Sequence, residues 1–325
     1  MMDVLNLALP FFGLIFLGMA CGRFARIPDA GLAWMDFFVI YVALPALFYR
    51  VLAQTPAGEL TQLSFIVATT LATFAAFVVT FGIAIAVERG RLRVATIIGL
   101  AGAYGNVGYM GPGLAVSALG TEAAAPVALI FCFDTLLVFT VAPLLMTMAG
   151  HHGKAGGDRS ALATAGLVAR RIVLHPFIVA SVLGVASAAI GLQPPVALDR
   201  LLQFLQNAAA PCALFALGVT VVARPVDAVT IELPIAIGVK LLVHPAIVLV
   251  LMSLFGPFAE TWVYTAVLLA ALPTALSVFV LARQYDTWVA EASSLVMYGI
   301  LVSVFTVTGL LWLLKAHLLP LNIFG

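Results

Sequence analysis

Residues 102–113 read GAYGNVGYMGPG and contain five glycines, one proline and one asparagine. The flanking segments, VATIIGLA (94–101) and LAVSALG (114–120), are strongly apolar. Glycine lets a backbone open and proline removes a backbone donor, so this stretch interrupts an otherwise helical segment. In hydrocarbon, freed backbone groups survive only when they are buried in protein or line a wet cavity. If the chain crosses a membrane, residues 102–113 therefore mark a place where the backbone does more than span it.

The composition indicates an integral membrane protein. The chain has 325 residues, of which 64% are hydrophobic and 9% are charged. A soluble domain carries roughly 25% charged residues, so this chain has too few to cover a water-facing surface, and we expect the lipid bilayer to surround it. The net charge of +1, without a basic run, excludes a nucleic-acid partner.

Apolar runs of about 20 residues predict membrane spans. Such runs lie at about 4–22, 33–53, 63–87, 94–119, 124–149, 171–191, 198–222, 230–255, 262–283 and 289–314. The longest polar separator, GHHGKAGGDRS, divides these ten spans into five and five. We therefore predict a first repeat at 1–149, a central cytoplasmic loop at 150–160 and a second repeat at 161–325.

The basic residues of the loops predict the orientation. Alternate loops collect eleven basic residues on one side, namely Arg23, Arg26, Arg89, Arg91, Arg93, Lys154, Arg159, Arg170, Arg171, Arg224 and Arg283. The other side has Arg50, Arg200 and Lys315. The richer side is cytoplasmic by the positive-inside rule. We expect an inner (plasma) membrane protein with both termini outside the cytoplasm.

Two pairs of similar segments predict that the halves are related. Pro45 in VALPALF and Pro211 in AAPCALF are 166 residues apart, as are VFTVAPLL (138–145) and VFTVTGLL (304–311). Chance similarity between apolar segments is the alternative. An odd number of spans per half would insert the second half upside down, and such inverted repeats are a hallmark of secondary transporters.

The ninth span contains a second interruption. It reads WVYTAVLLAALPTALSVFVLAR, with Pro273 near its middle, and it corresponds in the repeat to the span containing residues 102–113. Interrupted spans at matching places in two halves indicate a substrate site. The alternative for any single proline is a packing kink.

Several segments, in order along the chain, resemble the auxin efflux carrier family. GNVGYMGPGLAVSALG resembles its GN-x-G-x-x-G-x-P element, although here the proline follows Gly111 directly. ALPTALSVFVLARQYDTWVAEASSLVMYGILVSVFTV is similar to its ninth and tenth helices. Its second, sixth and eighth helices resemble VIYVALPALFYRV, RRIVLHPFI and KLLVHPAIVLV, respectively. The HP pairs in the last two segments resemble those of the malonate-type branch of the family.

The resemblance implies an all-α fold of ten transmembrane helices in a 5+5 inverted repeat, similar to the bile-acid/sodium symporters. In that fold the broken fourth and ninth helices cross at mid-membrane. Spans 1, 2, 6 and 7 form a scaffold, and spans 3–5 and 8–10 form the transport part. Members of the family include plant auxin exporters and bacterial malonate and malate permeases.

The interruptions supply the candidate substrate-binding residues. Half-helix ends carry roughly half a unit charge each and can hold a carboxylate. Tyr41 and Asn207 each lie four residues before Pro45 and Pro211, which suits polar groups facing a common cavity. For Tyr41, Asn207 and Ser277, hydrogen bonding between helices is an equal alternative. The candidates are Asn106, Gly105, Gly108, Tyr109, Pro112, Pro273, Thr274, Ser277, Tyr41 and Asn207, with Ser277 expected one turn beyond Thr274 on the same helix face.

Lys240 lies within the eighth span, with His244 four residues later on the same helix face. A lysine at mid-span is costly, so it faces protein or a wet cavity. Asp134, in the fifth span, is its natural partner. The lysine either attracts an organic anion or forms a buried pair with Asp134 that fixes packing, and His244 can exchange a proton. His175 is interpreted as a core or interface residue.

Gly18 and Gly22 form a GxxxG pattern in the first span. Such patterns permit close contact between helices, including helices of two subunits. A homodimer is therefore one expected assembly.

The function predicted from these features is secondary transport of small organic anions such as malonate or malate, by alternating access with an elevator-type or rocking movement. No Walker motif is present, so a proton or sodium gradient, or the membrane potential, must drive any accumulation, and no cofactor or metal is expected. Alternatives are a sodium-coupled bile-acid-type or auxin-like monocarboxylate carrier, or a ligand-gated channel or sensor. An enzyme is not expected, because HExxH and clustered intramembrane acids are missing and only His175 and His244 could pair on a haem.

Overall fold

A computed structural model describes residues 2–25, 29–55, 58, 62–149, 170, 174, 176–223 and 230–324, and within them the regular structure is helical. The helices are α1 (Met2–Ala25), α2 (Asp29–Phe38), α3 (Leu44–Ala53), α4 (Leu63–Val87), α5 (Leu92–Ala103), α6 (Gly111–Leu119), α7 (Ala124–Met148), α8 (Pro176–Ile190), α9 (Val196–Val222), α10 (Glu232–Gly238), α11 (His244–Phe255), α12 (Glu260–Ala270), α13 (Leu276–Gln284) and α14 (Val289–Lys315). A short 3-10 turn at Thr121–Ala123 leads into α7.

Many of these helices are long enough to cross a bilayer. Among the described residues, seven apolar helical segments have 20 to 28 residues, and a span needs about 20. Two shorter apolar helices, Leu92–Ala103 and Ile178–Ile190, accompany them. The chain is a multi-pass, all-α membrane protein.

Two predicted spans do not form continuous helices. The segment predicted at 94–119 is split into α5 and α6, and the segment predicted at 262–283 is split into α12 and α13. The whole central loop at 150–160 lies outside the described residues, as does most of the start of the predicted sixth span, including His175.

Two helices contain a π-helical segment ahead of a proline. Val39–Ala43 joins α2 to α3 just before Pro45, and Val239–Val243 joins α10 to α11 just before Pro245. Proline cannot donate the backbone hydrogen bond of an α-helix, and the wider π turn accommodates the lost donor. Lys240 lies inside the second of these segments.

Glycines bring helices from the two halves into backbone contact. α1 packs along α9, where a Cβ on Gly18 would lie 2.2 Å from the Phe215 carbonyl oxygen. α3 packs along α8, where a Cβ on Gly184 would lie 2.7 Å from the Tyr49 carbonyl oxygen. Gly22 also meets α9, since its Cβ would lie 3.1 Å from the Cα of Val219. The GxxxG pattern therefore serves packing within the chain, and the homodimer stays a prediction.

The remaining helices enclose the two interruptions. α4 packs against α5, α7 and α11, while α12 packs against α6, α7 and α11. The backbone between α5 and α6 and between α12 and α13 is consequently buried, apart from two half-buried residues, Gly108 and Tyr109. Irregular backbone is tolerated at membrane depth when protein covers it in this way.

Candidate functional site at the crossing of two interrupted helices

The two interruptions meet and satisfy each other's backbone groups. Gly105 and Thr274 form an isolated antiparallel bridge. On one side of it the Asn106 amide donates to the Pro273 carbonyl at 2.8 Å. On the other side the Ala275 amide donates to the Tyr104 carbonyl at 3.0 Å. Backbone groups that have no helical partner in one interruption are thus hydrogen-bonded by backbone groups of the other.

Thr274 closes the carbonyl end of α5. Its hydroxyl donates to the Ala101 carbonyl at 2.7 Å, and the residue is only 2% exposed. Thr274 lies in the extended segment before α13, whereas Ser277 lies within α13 and is half-buried. The prediction that both residues share one helix face is therefore wrong, because the helix begins after Thr274.

Asn106 accepts hydrogen bonds from the backbone amides that lead into α6. Its carbonyl accepts hydrogen bonds from the Met110 and Gly111 amides at 3.1 and 3.2 Å. Its side-chain Oδ1 accepts one from the Tyr109 amide at 3.3 Å. The side-chain nitrogen Nδ2 is buried and has no hydrogen-bond partner among the described residues. A free donor therefore remains at the crossing.

The glycines of the first interruption admit side chains of the protein itself. A Cβ on Gly105 would lie 3.0 Å from both Cε and Nζ of Lys240, and one on Gly108 would lie 2.8 Å from Cε2 of Phe131. Pro112 is buried in the first turn of α6, where its missing amide costs no helical hydrogen bond. In this structure the close approach is thus to Lys240 and Phe131.

Lys240 is fully buried against the second interruption. Its Nζ donates to the Ala270 carbonyl, the last residue of α12, and lies 3.2 Å from Nδ1 of His244. The other imidazole nitrogen, Nε2, lies 3.4 Å from the Thr73 hydroxyl. Lysine and histidine therefore form one buried polar chain that connects α12 to α4.

Asp134 is connected to Lys240 indirectly. The carboxyl group is 2% exposed and interacts with the Thr73 hydroxyl. Lys240 forms no ion pair with it among the described contacts, so the structure does not show the alternative of a direct buried pair. The physical reason is that the imidazole and the Thr73 hydroxyl take the intervening contacts. Oδ1 of Asp134 has no hydrogen-bond partner among the described residues.

Tyr41 and Asn207 are exposed, and no described contact joins either of them to the bridge. Tyr41 belongs to the first π segment, is 56% exposed and stacks on Phe37 with ring centroids 5.1 Å apart. Asn207 is exposed on α9. The structure therefore gathers Gly105, Asn106, Thr274 and Lys240 at the bridge, and leaves these two residues outside that cluster.

Sequence reasoning did not single out some participants of the cluster. The Tyr104 hydroxyl lies 3.0 Å from that of Thr135. Thr73 and Thr135 are ordinary residues of apolar helices, and threonines there usually bond to their own backbone. The Ala270 carbonyl carries no side-chain signal at all. Only the tyrosine, inside the interrupted stretch, offered a visible clue.

A cavity of about 450 Å³ lies elsewhere, lined by Val87, Glu88, Arg89, Arg91 and Glu232. Glu88 pairs with Arg91 there. Burial raises the pKa of the Glu88 carboxyl, with the neighbouring Glu232 carboxyl adding to the rise and Arg91 opposing it. No residue of the crossing lines this cavity, and the polar groups at the crossing are occluded from solvent.

Comparison with known proteins identifies the family of the chain. The family model described as "Membrane transport protein" matches residues 3–311. The chain is also 46% identical over 324 residues to a protein of Rhizobium meliloti (strain 1021) named "Putative malonate transporter", and the match covers 100% of both chains. Both the family and this relative are transporters and not enzymes. The resemblance noted in the sequence is confirmed, and the chain belongs to the auxin efflux carrier family of membrane transport proteins.

Proposed function

We propose that this chain is a secondary carrier of short organic anions, with malonate or a similar carboxylate as its substrate. The observation that carries the proposal is the buried Nδ2 of Asn106, which has no hydrogen-bond partner among the described residues, at the crossing of two interrupted helices. A buried donor without a partner is costly in a resting protein. A carboxylate oxygen is a natural acceptor for it. The name of the Rhizobium relative supports malonate in particular.

The helix ends at the crossing favour binding of an anion, and they do so without a positively charged side chain in contact with that anion. α6 and α13 both begin just after an interruption, so each presents the positive end of its dipole on that side. Such half-helix N-termini hold the carboxylates of substrates in other transporters with broken helices. Gly105, Gly108, Tyr109, Pro112 and Ser277 complete the proposed site, and Pro273 and Thr274 support it from the shorter interruption. Tyr41 and Asn207 belong to the approach to it rather than to its centre.

The helix contacts support the proposed ten-span, five-plus-five inverted repeat. Gly184 is 166 residues after Gly18, and Phe215 is 166 residues after Tyr49, so the two glycine contacts exchange under the offset that relates Pro45 to Pro211. A two-fold axis in the membrane plane would relate them in this reciprocal way. The repeats are then residues 1–149 and 161–325, with the loop 150–160 between them.

The same contacts support a division into scaffold and transport parts. α1, α2–α3, α8 and α9 hold to one another through the glycine contacts and through Arg50, whose Nε lies 2.8 Å from Oδ1 of Asp199. The other helices carry the crossing. Alternating access would move the crossing against this scaffold, by an elevator-type or rocking movement, in an inner membrane with both termini outside the cytoplasm. A proton or sodium gradient supplies the energy.

Counterflow in proteoliposomes tests the proposal. Vesicles loaded with unlabelled malonate are placed in labelled malonate, and transient overshoot of label reports exchange by a carrier. We expect wild-type overshoot, and an initial rate reduced about tenfold or more in Asn106→Ala, since one lost hydrogen bond to a charged group costs about 1.5–3 kcal/mol. Asn207→Ala removes the exposed amide on α9 and serves as the matched control.

Two outcomes would contradict the proposal. Absence of overshoot with malonate and with a panel of other short mono- and dicarboxylates would remove the carrier function. Equal rates for Asn106→Ala and Asn207→Ala, with both variants folded, would remove the crossing as the site.

A further inference from the structure

The ammonium group of Lys240 lies at the carbonyl end of an interrupted helix. α12 ends at Ala270, whose carbonyl accepts a hydrogen bond from Nζ. A helix C-terminus carries about half a negative charge, and in carriers with broken helices such ends coordinate the coupling Na⁺ or H⁺. In this chain a side chain has already placed a cation at that end.

Comparison of the two interruptions shows what this cation replaces. The bridge makes Gly105 equivalent to Thr274, and Ala101 and Ala270 each precede their bridge residue by four positions. The Thr274 hydroxyl donates to the Ala101 carbonyl, so a side chain at position 105 would be the equivalent donor to Ala270. Glycine has no such group, and its missing Cβ would lie 3.0 Å from Nζ of Lys240. The lysine therefore substitutes a charged donor for a neutral one.

The contacts of Lys240 also provide a route for its proton. An ammonium has no lone pair, so Nδ1 of His244, at 3.2 Å, is the acceptor, and Nε2 carries the imidazole proton towards Thr73. Transfer from Nζ to Nδ1 leaves a neutral amine and an imidazolium. Donation of the Nε2 proton through the Thr73 hydroxyl to the Asp134 carboxylate, with which that hydroxyl interacts, restores a neutral imidazole. One proton has then passed from Lys240 to Asp134, and no other bond has changed.

The other titratable groups around Lys240 are known from the packing. Asp134 on α7 faces it across Thr73, and the electrostatic interaction between the two charges is attractive. Tyr104, at the end of α5, is bonded to Thr135 and lies near Asp134. Since no carboxylate is in ion-pair contact with Lys240 among the described residues, a proton can leave it without breaking a direct salt bridge.

We propose that Lys240 is the coupling cation of this carrier: its ammonium fills the cation site of the crossing, and a proton on Lys240 takes the place of a bound sodium ion. Transport is then coupled to protons and needs no sodium. This inference rests on the proposed function as a carrier.

The transport test compares two rates in the same vesicles: accumulation of malonate driven by a pH gradient, and counterflow exchange of malonate without one. Proteoliposomes in sodium-free choline buffer are given a gradient of about one pH unit, for which one coupled proton permits about tenfold accumulation of labelled malonate. We expect the wild type to accumulate malonate to the same level in choline and in sodium. Lys240→Met keeps the apolar stem and removes the ammonium group, so this variant should keep counterflow and lose pH-driven accumulation.

A wild type that requires sodium would overturn the inference. So would a Lys240→Met variant that accumulates malonate as the wild type does, because the ammonium group would then be dispensable. If the wild type exchanges no malonate at all, malonate is rejected as the substrate, and the role of Lys240 is tested by melting temperatures instead. Lys240→Ala should melt higher in methylammonium chloride than in tetramethylammonium chloride, while the wild type should not distinguish them. Equal melting temperatures for the variant would overturn the cation site.

Discussion

The two interruptions at the crossing are equivalent in position and different in what they leave free. The first extends over residues 104–110 and contains Asn106, whose Nδ2 has no partner among the described residues. The second extends only over residues 271–275, and its hydroxyl at Thr274 is used to close the carbonyl end of α5. The first break therefore holds the group available to a ligand, and the second supplies structure. One site built from two matched breaks can thus divide binding and support between them.

Among the variants that test this difference between the two interruptions, replacing the proline of the shorter one should have the largest effect. Pro273→Ala restores a backbone donor, which lets helix continue through 271–275 and removes the carbonyl geometry that the Asn106 amide uses at 2.8 Å. We expect malonate counterflow to fall about tenfold or more, which corresponds to about 1.4 kcal/mol. Pro10→Ala, at an exposed position inside α1, is the control and should transport normally. Equal counterflow in both variants would show that the shorter break need not stay open.

A methyl group on the longer break should have the next largest effect. The Cβ of Gly105→Ala would lie 3.0 Å from Nζ of Lys240 and 3.2 Å from the Leu269 carbonyl, so the neighbours must shift. Overpacking of this kind costs about 1–3 kcal/mol, measured as a fall in the free energy of unfolding or in melting temperature. Gly82→Ala, in α4 where a Cβ meets no atom within 4 Å, should be neutral or slightly stabilising. Indistinguishable melting of the two variants would contradict the tight contact with Lys240.

Removing the hydroxyl of Thr274 should have the smallest effect and should separate support from binding. Thr274→Val leaves the Ala101 carbonyl without its donor at 2.7 Å, at a cost of about 1–2 kcal/mol in stability. Counterflow should persist near the wild-type rate at temperatures where the variant is folded. Thr274→Ser keeps the hydroxyl and should restore the melting temperature. A valine variant that melts normally but no longer transports would assign Thr274 to substrate binding and remove the proposed division.

Both interruptions could be predicted from the sequence, because glycine and proline act on the backbone locally. The contacts of Lys240 could not, since its partners are a backbone carbonyl and an imidazole brought close by packing. The π segment at Val239–Val243 also changes the helix phase, so ideal helical spacing does not show which neighbours Lys240 meets. The equivalence of Tyr41 and Asn207 was visible as a repeat, yet a repeat does not say which face of a helix turns inward.

The reciprocal glycine contacts bear on the origin of the chain. Each joins a helix of one proposed half to a helix of the other, Gly18 to Phe215 and Gly184 to Tyr49. A single five-span ancestor that entered the membrane in both orientations would have made both contacts between two identical subunits. Gene fusion would then have converted a subunit interface into internal packing without altering either contact.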